Sequence, residues 1–214
     1  MTTKERYQHI VSYFKENQPD VTTELVYEDP YQLLVAVILS AQCTDKRVNV
    51  ITVPFFKRFP GVHDLAKASQ DEIFELIRSC SYPNNKAKSL LGMAHKLISD
   101  FHAEVPDDID ALQTIPGVGR KTANVIASVV FNKPAMAVDT HVFRVSARLG
   151  LTKDAKNPLQ AEQQLVKHIP EELLSLAHHW LILHGRYVCR ARKPMCEACP
   201  LTAWCKYYAS LTKA

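Results

Sequence analysis

Four of the six cysteines lie within a segment of 17 residues. They follow the pattern C-x6-C-x2-C-x5-C and are Cys189, Cys196, Cys199 and Cys205. Four thiolates from so short a segment can enclose one ion or cluster at little cost in chain-closure entropy. Zinc is the general occupant of four-cysteine sites, but zinc folds usually pair two short C-x2-4-C units, and this segment has one. The spacing therefore favours a [4Fe–4S] cluster, with zinc as the alternative.

Three cations, Arg190, Arg192 and Lys193, lie between the first two of these cysteines. A loop fixed by a metal centre can hold such cations against phosphate groups. Alternatively, the loop is solvated and offsets the negative charge of the thiolates. The net charge of +4 permits a polyanionic partner without requiring one.

Helical patterns dominate the chain. Tyr7, Ile10, Val11 and Phe14 follow helical spacing. Five further patterns predict helix starts: Thr2 with Glu5, Asp29-Pro30, Ser69 with Glu72, Asn157-Pro158 and Pro170-Glu171. Alternation typical of strands is nearly absent. We expect an all-α protein of about ten short helices.

The longest apolar run, Leu33 to Leu39, is far shorter than the roughly 20 residues that span a bilayer, so we expect a buried helix segment and no membrane contact. The N-terminal segment lacks a signal-peptide pattern. We therefore expect the cytoplasm, with the nucleoid in a prokaryote. In that reducing compartment Cys43 and Cys80 are interpreted as small buried hydrophobic residues.

The segment Ile115-Pro-Gly-Val-Gly-Arg-Lys-Thr-Ala joins two helical patterns. Gly117 and Gly119 permit backbone angles and close approaches that a side chain would block. Backbone amides beside a helix N-terminus can bind a phosphate oxygen. Because the spacing of a nucleotide-binding P-loop is missing, we interpret the segment as a helix–hairpin–helix that binds a nucleic-acid backbone.

Lys121 falls in the first turn of the helix that follows this hairpin. A cation there opposes the helix dipole, which favours the neutral, nucleophilic amine. The simpler interpretation is a surface lysine that binds phosphate. Asp139 and His141 follow soon after; Asp139 is a candidate acid/base or electrostatic partner, or else a helix N-cap, and His141 is then an ordinary polar residue.

Together these features resemble the endonuclease III family of helix–hairpin–helix DNA glycosylases. Four blocks carry the resemblance in the family's order: Leu39-Ser-Ala-Gln-Cys-Thr-Asp45, Ile115 to Asn124, Val138-Asp-Thr-His-Val-Phe-Arg-Val145, and the four-cysteine segment. The resemblance implies a six-helix barrel domain over residues 23–133. It also implies a discontinuous helical domain, residues 1–22 and 134–214, that carries the [4Fe–4S] cluster.

The resemblance further implies a bifunctional enzyme that acts, as a monomer, on double-stranded DNA with damaged pyrimidines or abasic sites. The lesion nucleotide is flipped out of the stack. Lys121 would attack the sugar C1′ and displace an oxidised pyrimidine such as thymine glycol, and Asp139 would assist. The resulting Schiff base would allow β-elimination at the abasic site.

Other residues are assigned by the same resemblance. Gln42 would fill the gap left by the flipped nucleotide, and Ser40 and Asp45 would line the active site. Tyr82 stands where the family usually has a leucine wedge. The remaining expected DNA contacts are Gly117, Val118, Gly119, Arg120, His141, Arg190, Arg192 and Lys193.

Two alternatives differ in chemistry. The related mismatch adenine glycosylase shares the hairpin, the aspartate and the cluster. However, it lacks the lysine and has an additional C-terminal domain, so Lys121 and a chain of 214 residues argue against it. A non-catalytic DNA-binding module would leave the combination of Lys121 and Asp139 unexplained.

Overall fold

A computed structural model describes residues 1–212. Within that range all regular structure is helical, with twelve α-helices, three short 3-10 helices and no strand. The all-α expectation is confirmed. In the described part of the chain, no helix has both the length and the apolar character needed to cross a membrane.

The α-helices are numbered in chain order. They are α1 Thr3–Asn17, α2 Pro30–Ser40, α3 Asp45–Arg58, α4 Val62–Ala66, α5 Gln70–Ile77, α6 Pro83–Phe101, α7 Ile109–Gln113, α8 Arg120–Phe131, α9 Thr140–Leu149, α10 Pro158–His168, α11 Leu174–Tyr187 and α12 Lys206–Leu211. The 3-10 helices are Glu171–Leu173, Cys196–Ala198 and Thr202–Trp204.

Four of the five predicted helix starts are confirmed by their cap hydrogen bonds. The side chains of Thr2 and Ser69 form capping boxes, and those of Asp29 and Asn157 accept from the amide three residues ahead. Pro170 instead precedes a 3-10 helix, and α11 begins only at Leu174. A capping side chain satisfies first-turn amides and is worth about 1 kcal/mol, which explains why these local signals are reliable.

The chain divides into two compact units. One comprises Glu24–Phe131; the other comprises residues up to Thr23 and the described residues from Asn132 onward.

In the Glu24–Phe131 unit, α2 is the central element. Every residue of the run Leu33–Leu39 is buried, which confirms that this apolar run forms a buried helix segment. Helices α3, α6 and α8 pack against α2, and α4 and α5 pack against α6. Full burial of each such aliphatic side chain contributes on the order of 2 kcal/mol, so this helix anchors the unit's core.

The other unit is built around α9, which contacts α10, α11 and α12. Helix α1 contributes Tyr7, Ile10 and Phe14 to its core. The Phe14 ring stacks on the Trp180 ring with centroids 5.6 Å apart. The Trp180 Nε1 donates to the Gln18 carbonyl at 2.8 Å, so the end of α1 is fixed to α11.

Candidate functional site

The glycine turn, residues 114–119, connects α7 to α8. Helix α7 is capped by Asp108, and the side chain of Leu112 on this helix is fully buried. The turn is closed by a hydrogen bond of 3.0 Å from the Val118 amide to the Ile115 carbonyl. Helix α8 then begins at Arg120, where the first-turn amides have no acceptor within their own helix.

The two glycines of this turn have different environments. Gly117 has a φ of +83°, and a Cβ built there would lie 2.8 Å from Cβ of Ser89 in α6. Both the left-handed conformation and the close packing therefore require glycine at this position. A Cβ on Gly119 would meet no protein atom within 4 Å. Packing within the chain thus explains Gly117 but leaves Gly119 beside open space.

The structure places the Val118 side chain inside the turn, with 6% of its surface exposed. Its amide is used by the bond to Ile115. The neighbouring Gly119 and Arg120 are both exposed. At the N-terminus of α8, Gly119 and Arg120 are thus accessible from outside, whereas Val118 is not.

Lys121 is the second residue of α8 and is half-buried. Ser40 ends α2, which packs against α8, and the Ser40 hydroxyl donates to the Val37 carbonyl at 2.8 Å. Asp45 is the first residue of α3 and is also half-buried. Because Lys121 is in the first turn of α8, it lies at the positive end of that helix's dipole.

Gln42 and Tyr82 lie in two loops that are joined by a hydrogen bond. Both residues have left-handed backbone angles, with φ of 54° and 55°. Both are exposed. The Ser81 hydroxyl, next to Tyr82, donates to the Gln42 carbonyl at 2.6 Å. The structure thus brings together the backbones of the two residues for which insertion into DNA is expected.

In the other unit, Asp139 caps α9. Its Oδ1 accepts from the amides of His141 and Val142, both at 2.8 Å, and its Oδ2 lies 3.1 Å from Nδ1 of His141. The helix N-cap interpretation of Asp139 is therefore correct in geometry. Because charge-assisted bonds and the helix dipole both favour the anion, the same geometry holds a carboxylate in a fixed orientation.

The four clustered cysteines line a single cavity, together with apolar residues that include Leu149, Val188 and Met195. None of the four forms a disulfide. The cavity, counted with its solvent-open part, is about 310 Å³.

Donor groups lie close to the sulfur atoms of this cavity. Arg148 Nη1 is 3.6 Å from Cys189 Sγ, and His184 Nε2 is 3.7 Å from Cys199 Sγ. The Tyr208 amide is 3.5 Å from Cys205 Sγ. Hydrogen bonds to sulfur are a regular feature of iron–sulfur sites, where they stabilise the thiolate ligands.

Among residues 1–212, no three His, Cys, Asp or Glu side chains are arranged to hold one metal ion. The four sulfurs line one cavity, and four thiolates are the donor set of an iron–sulfur cluster or of zinc. Burial, with a smaller contribution from the neighbouring cysteines, raises the pKa of the Cys199 and Cys205 thiols. A bound cation would favour the ionised thiolates.

The basic loop, residues 190–195, begins beside the cavity. Its cations Arg190, Arg192 and Lys193 are all exposed. The Met195 amide closes the loop onto the Val188 carbonyl at 2.9 Å. The loop therefore presents three charges on a constrained backbone.

Arg148 was not singled out by the sequence analysis. Its guanidinium donates to the carbonyls of Arg190 at 2.7 Å and Ala191 at 2.8 Å, besides approaching Cys189. It also lies over the Tyr207 ring, 4.9 Å from the centroid. One side chain thus supports both the cavity and the basic loop. Its place in the last turn of α9 gave no local pattern that could have indicated this role.

Comparison with known proteins places these features in context. Residues 35–171 match the family model described as HhH-GPD superfamily base excision DNA repair protein. Endonuclease III of Rickettsia felis is 45% identical over 201 residues, covering 94% of each chain. Endonuclease III of Bacillus subtilis is 45% identical over 188 residues, covering 88% of this chain and 86% of the relative.

A solved structure has nearly the same backbone. It is described as a trapped endonuclease III–DNA covalent intermediate, and it is 42% identical to this chain with a TM-score of 0.94. The match covers 99% of this chain and 100% of that one. The match therefore extends over both units, including the segment that holds the four cysteines.

Proposed function

The chain belongs to the HhH-GPD superfamily of base excision DNA repair proteins, in its endonuclease III family, and from this membership we propose a bifunctional DNA glycosylase and abasic-site lyase. The observation that carries the proposal is Lys121 in the first turn of α8, directly after the glycine turn. The similarity to a protein trapped covalently on DNA supports an amine nucleophile. Because the substrate of this activity is DNA, we propose that the protein is located with the nucleoid in the cytoplasm of a prokaryote.

The proposed domains follow the two units. Glu24–Phe131, which contains α2 to α8 and so one helix more than the expected six, serves as the barrel domain with the helix–hairpin–helix, and the other unit serves as the cluster domain. Gly119 and Arg120 bind a phosphate at the N-terminus of α8, with Gly117 and Val118 shaping the turn. His141 and the basic loop with Arg190, Arg192 and Lys193 add further contacts to the DNA backbone.

The reaction begins when Lys121 Nζ forms a bond to the sugar C1′ while the bond from C1′ to the base breaks. The substrates are oxidised pyrimidines such as thymine glycol, and the departing base takes up the proton that Lys121 Nζ loses after the new bond forms. The Asp139 carboxylate, fixed by two amides of α9, stabilises the positive charge that develops on the sugar. Ser40 and Asp45 line the pocket beside the lysine.

After ring opening, the lysine is joined to C1′ as a protonated imine. The imine accepts electrons, so the C2′ proton becomes acidic. Its removal expels the 3′ phosphate and breaks the strand. Attack by water instead of an amine would form no imine at C1′. The amine therefore explains how one residue serves both base excision and strand cleavage.

The ligands of the [4Fe–4S] cluster are Cys189, Cys196, Cys199 and Cys205. When bound, the cluster supplies a rigid cross-link for this segment and the net charge of its irons and thiolates. Arg148 orients the basic loop through the carbonyls of Arg190 and Ala191. The protein itself acts as a monomer.

Borohydride trapping tests the proposal, because it reduces the imine to a stable amine. Wild-type protein should form a covalent complex with duplexes that contain thymine glycol or an abasic site, but none with undamaged DNA. Lys121→Gln should abolish the complex, while Lys96→Gln, which changes a lysine of α6, should trap as the wild type does. Trapping by Lys121→Gln at the native rate would refute the assigned nucleophile.

A further inference from the structure

Lys86, in the first turns of α6, is a buried lysine outside the residues assigned above. Only 6% of its surface is exposed. Its Nζ donates to the Leu39 carbonyl at 2.8 Å, the Ala41 carbonyl at 2.7 Å and Cys80 Sγ at 3.1 Å. A lysine ammonium has three donors, so these acceptors use its full capacity. Burying a cation is costly unless it is bonded in this way.

The three acceptors come from the end of α2 and from the segment before α6. Leu39 and Ala41 mark the C-terminal end of α2, where carbonyls have no partner within the helix and a cation is favoured. Cys80 lies in the segment between α5 and α6. Burial raises the pKa of its thiol, and the thiol donates to the same Leu39 carbonyl at 3.3 Å. The Lys86 side chain therefore ties the loop after α2 to the loop before α6.

Each of these loops contains a strained residue. Gln42 follows Ala41 directly, and Tyr82 precedes α6; both have left-handed backbone angles without being glycine. That conformation costs on the order of 1–2 kcal/mol for each residue. Such strain persists only where the surroundings fix the backbone.

The bonds that fix these two residues converge on Lys86 and its neighbours. The Lys86 amide donates to the Tyr82 carbonyl at 3.2 Å, and the Ser81 hydroxyl donates to the Gln42 carbonyl at 2.6 Å. The side chains of Gln42 and Tyr82 are themselves exposed. Strained backbone beneath exposed side chains is typical of a surface organised before its ligand arrives.

We propose that Lys86 is a positioning residue that holds Gln42 and Tyr82 in the conformation needed to enter the DNA duplex. This inference rests on the proposed function, together with the expectation that Gln42 fills the gap left by the flipped nucleotide and that Tyr82 acts as the wedge. With Lys86 in place, the two loops are ordered before DNA binds. Without it, that ordering must take place during binding, which raises the cost of distorting the duplex.

The test separates duplex distortion from imine chemistry. Lys86→Met keeps an unbranched side chain only one atom shorter and removes the three donors. We expect its kcat/KM on a duplex lesion to fall at least tenfold. Its rate of borohydride trapping on a single-stranded abasic site, where no helix must be opened, should remain within twofold of the wild type. Lys96→Met, a change on the same helix, should leave both rates unchanged.

A second measurement needs no turnover. A duplex with 2-aminopurine beside a stable abasic analogue reports base unstacking by its fluorescence. At saturating protein, Lys86→Met should produce less than half of the wild-type rise. An unchanged rise, or an equal loss of activity on duplex and single-stranded DNA, would overturn the proposal. If Lys86→Met does not fold, Ser81→Ala, which removes the bond to Gln42, is tested instead. The same two measurements, activity on duplex and single-stranded DNA and the rise in fluorescence, then decide.

Failure of this inference is distinct from failure of the proposed function. Wild-type protein that traps neither duplex nor single-stranded abasic DNA refutes the function itself, and the inference with it. Wild-type protein that traps both, beside a Lys86→Met protein that behaves identically, refutes only the role of Lys86.

Discussion

At the scale of single residues, Asp139 has two tasks that use the same atoms. Its carboxylate caps α9, and its bonds to the amides of His141 and Val142 hold it in one orientation. A cap and a catalytic carboxylate differ in what they require, because asparagine can replace aspartate as a cap but carries no charge. The difference makes the two roles separable by one substitution.

We expect Asp139→Asn to slow base excision by about 10²-fold, since removing such a group commonly costs that much. The free energy of unfolding should change by less than about 1 kcal/mol, because the cap is kept. Single-turnover excision and chemical denaturation measure the two effects. Asp29→Asn, the same change at the N-cap of α2, is the control. An unfolded Asp139→Asn protein would favour a purely structural role.

His179 gives a prediction about pH. The side chain is buried, and among the described residues its Nε2 has no hydrogen-bond partner. Burial, together with the positive charge of Arg186, lowers its pKa from 6.5 to about 4. The His178 ring packs edge-on against it, with centroids 4.9 Å apart. The imidazole is therefore neutral in the folded protein at neutral pH.

The unfolded chain binds a proton at His179 near pH 6.5, whereas the folded chain binds it only near pH 4. The stability from this group is therefore complete above pH 6.5 and is lost as the pH falls toward 4. Between pH 7.5 and 5, His179 should lower the free energy of unfolding by about 2 kcal/mol. Urea denaturation of the wild type and of His179→Gln should show a drop that is smaller in the variant. Equal drops would contradict the prediction.

At the scale of elements, the turn between α7 and α8 depends on its contact with α6. Gly92 of α6 approaches the Pro116 side chain, with a built Cβ at 3.2 Å, and Ser89 approaches Gly117. Helix α6 therefore supports the glycine turn from one side, and its N-terminal end carries Lys86. The hairpin motif is read from a local sequence, but its shape is held by a helix that begins more than thirty residues earlier.

Alanine substitutions should distinguish the two glycines. Gly117→Ala should destabilise the fold by at least 1–2 kcal/mol, because it combines a left-handed backbone with a close contact to Ser89. Gly119→Ala should leave thermal stability nearly unchanged. It should weaken DNA binding by about fivefold to tenfold, the loss expected for about one hydrogen bond. Native affinity in Gly119→Ala would mean that DNA does not approach this residue.

At the scale of the whole molecule, the stability of the cysteine segment depends on links other than its own short helices. Residues 189–205 contain only two 3-10 helices of three residues each, Cys196–Ala198 and Thr202–Trp204. Such short elements are not stable without additional links. Arg148 provides one such link through the carbonyls of Arg190 and Ala191, and the proposed cluster would provide the other.

We expect the purified protein to contain about four irons and four sulfides, with broad visible absorption. Cys199→Ala should lose this absorption. The plot of log affinity for DNA against log salt should become shallower by about 2–3, because Arg190, Arg192 and Lys193 no longer act together. Arg190→Gln, which retains the cluster, should lower the slope by about 1. A colourless wild-type protein with one zinc would refute the cluster.

The sequence by itself determined the features that depend on near neighbours. The caps at Thr2, Asp29, Ser69 and Asn157, the glycine turn and the cysteine spacing are all set by groups a few residues apart. Hydrogen bonds over such distances form in nearly any fold that keeps the segment helical. Helical spacing likewise predicted that Tyr7, Ile10 and Phe14 lie on one face, which is the buried face of α1.

Only the tertiary structure determined which residues far apart in the sequence contact one another. Packing requires glycine at position 117 but not at position 119, and the Val118 side chain is buried. Lys86 is buried beneath the two loops that contain the strained residues Gln42 and Tyr82. Each of these outcomes depends on a partner from another helix, whose approach no local pattern encodes. A lysine in a helical sequence is expected to be exposed. Burial of Lys86 is favourable because its ammonium donates to the carbonyls of Leu39 and Ala41, which lie at the end of another helix.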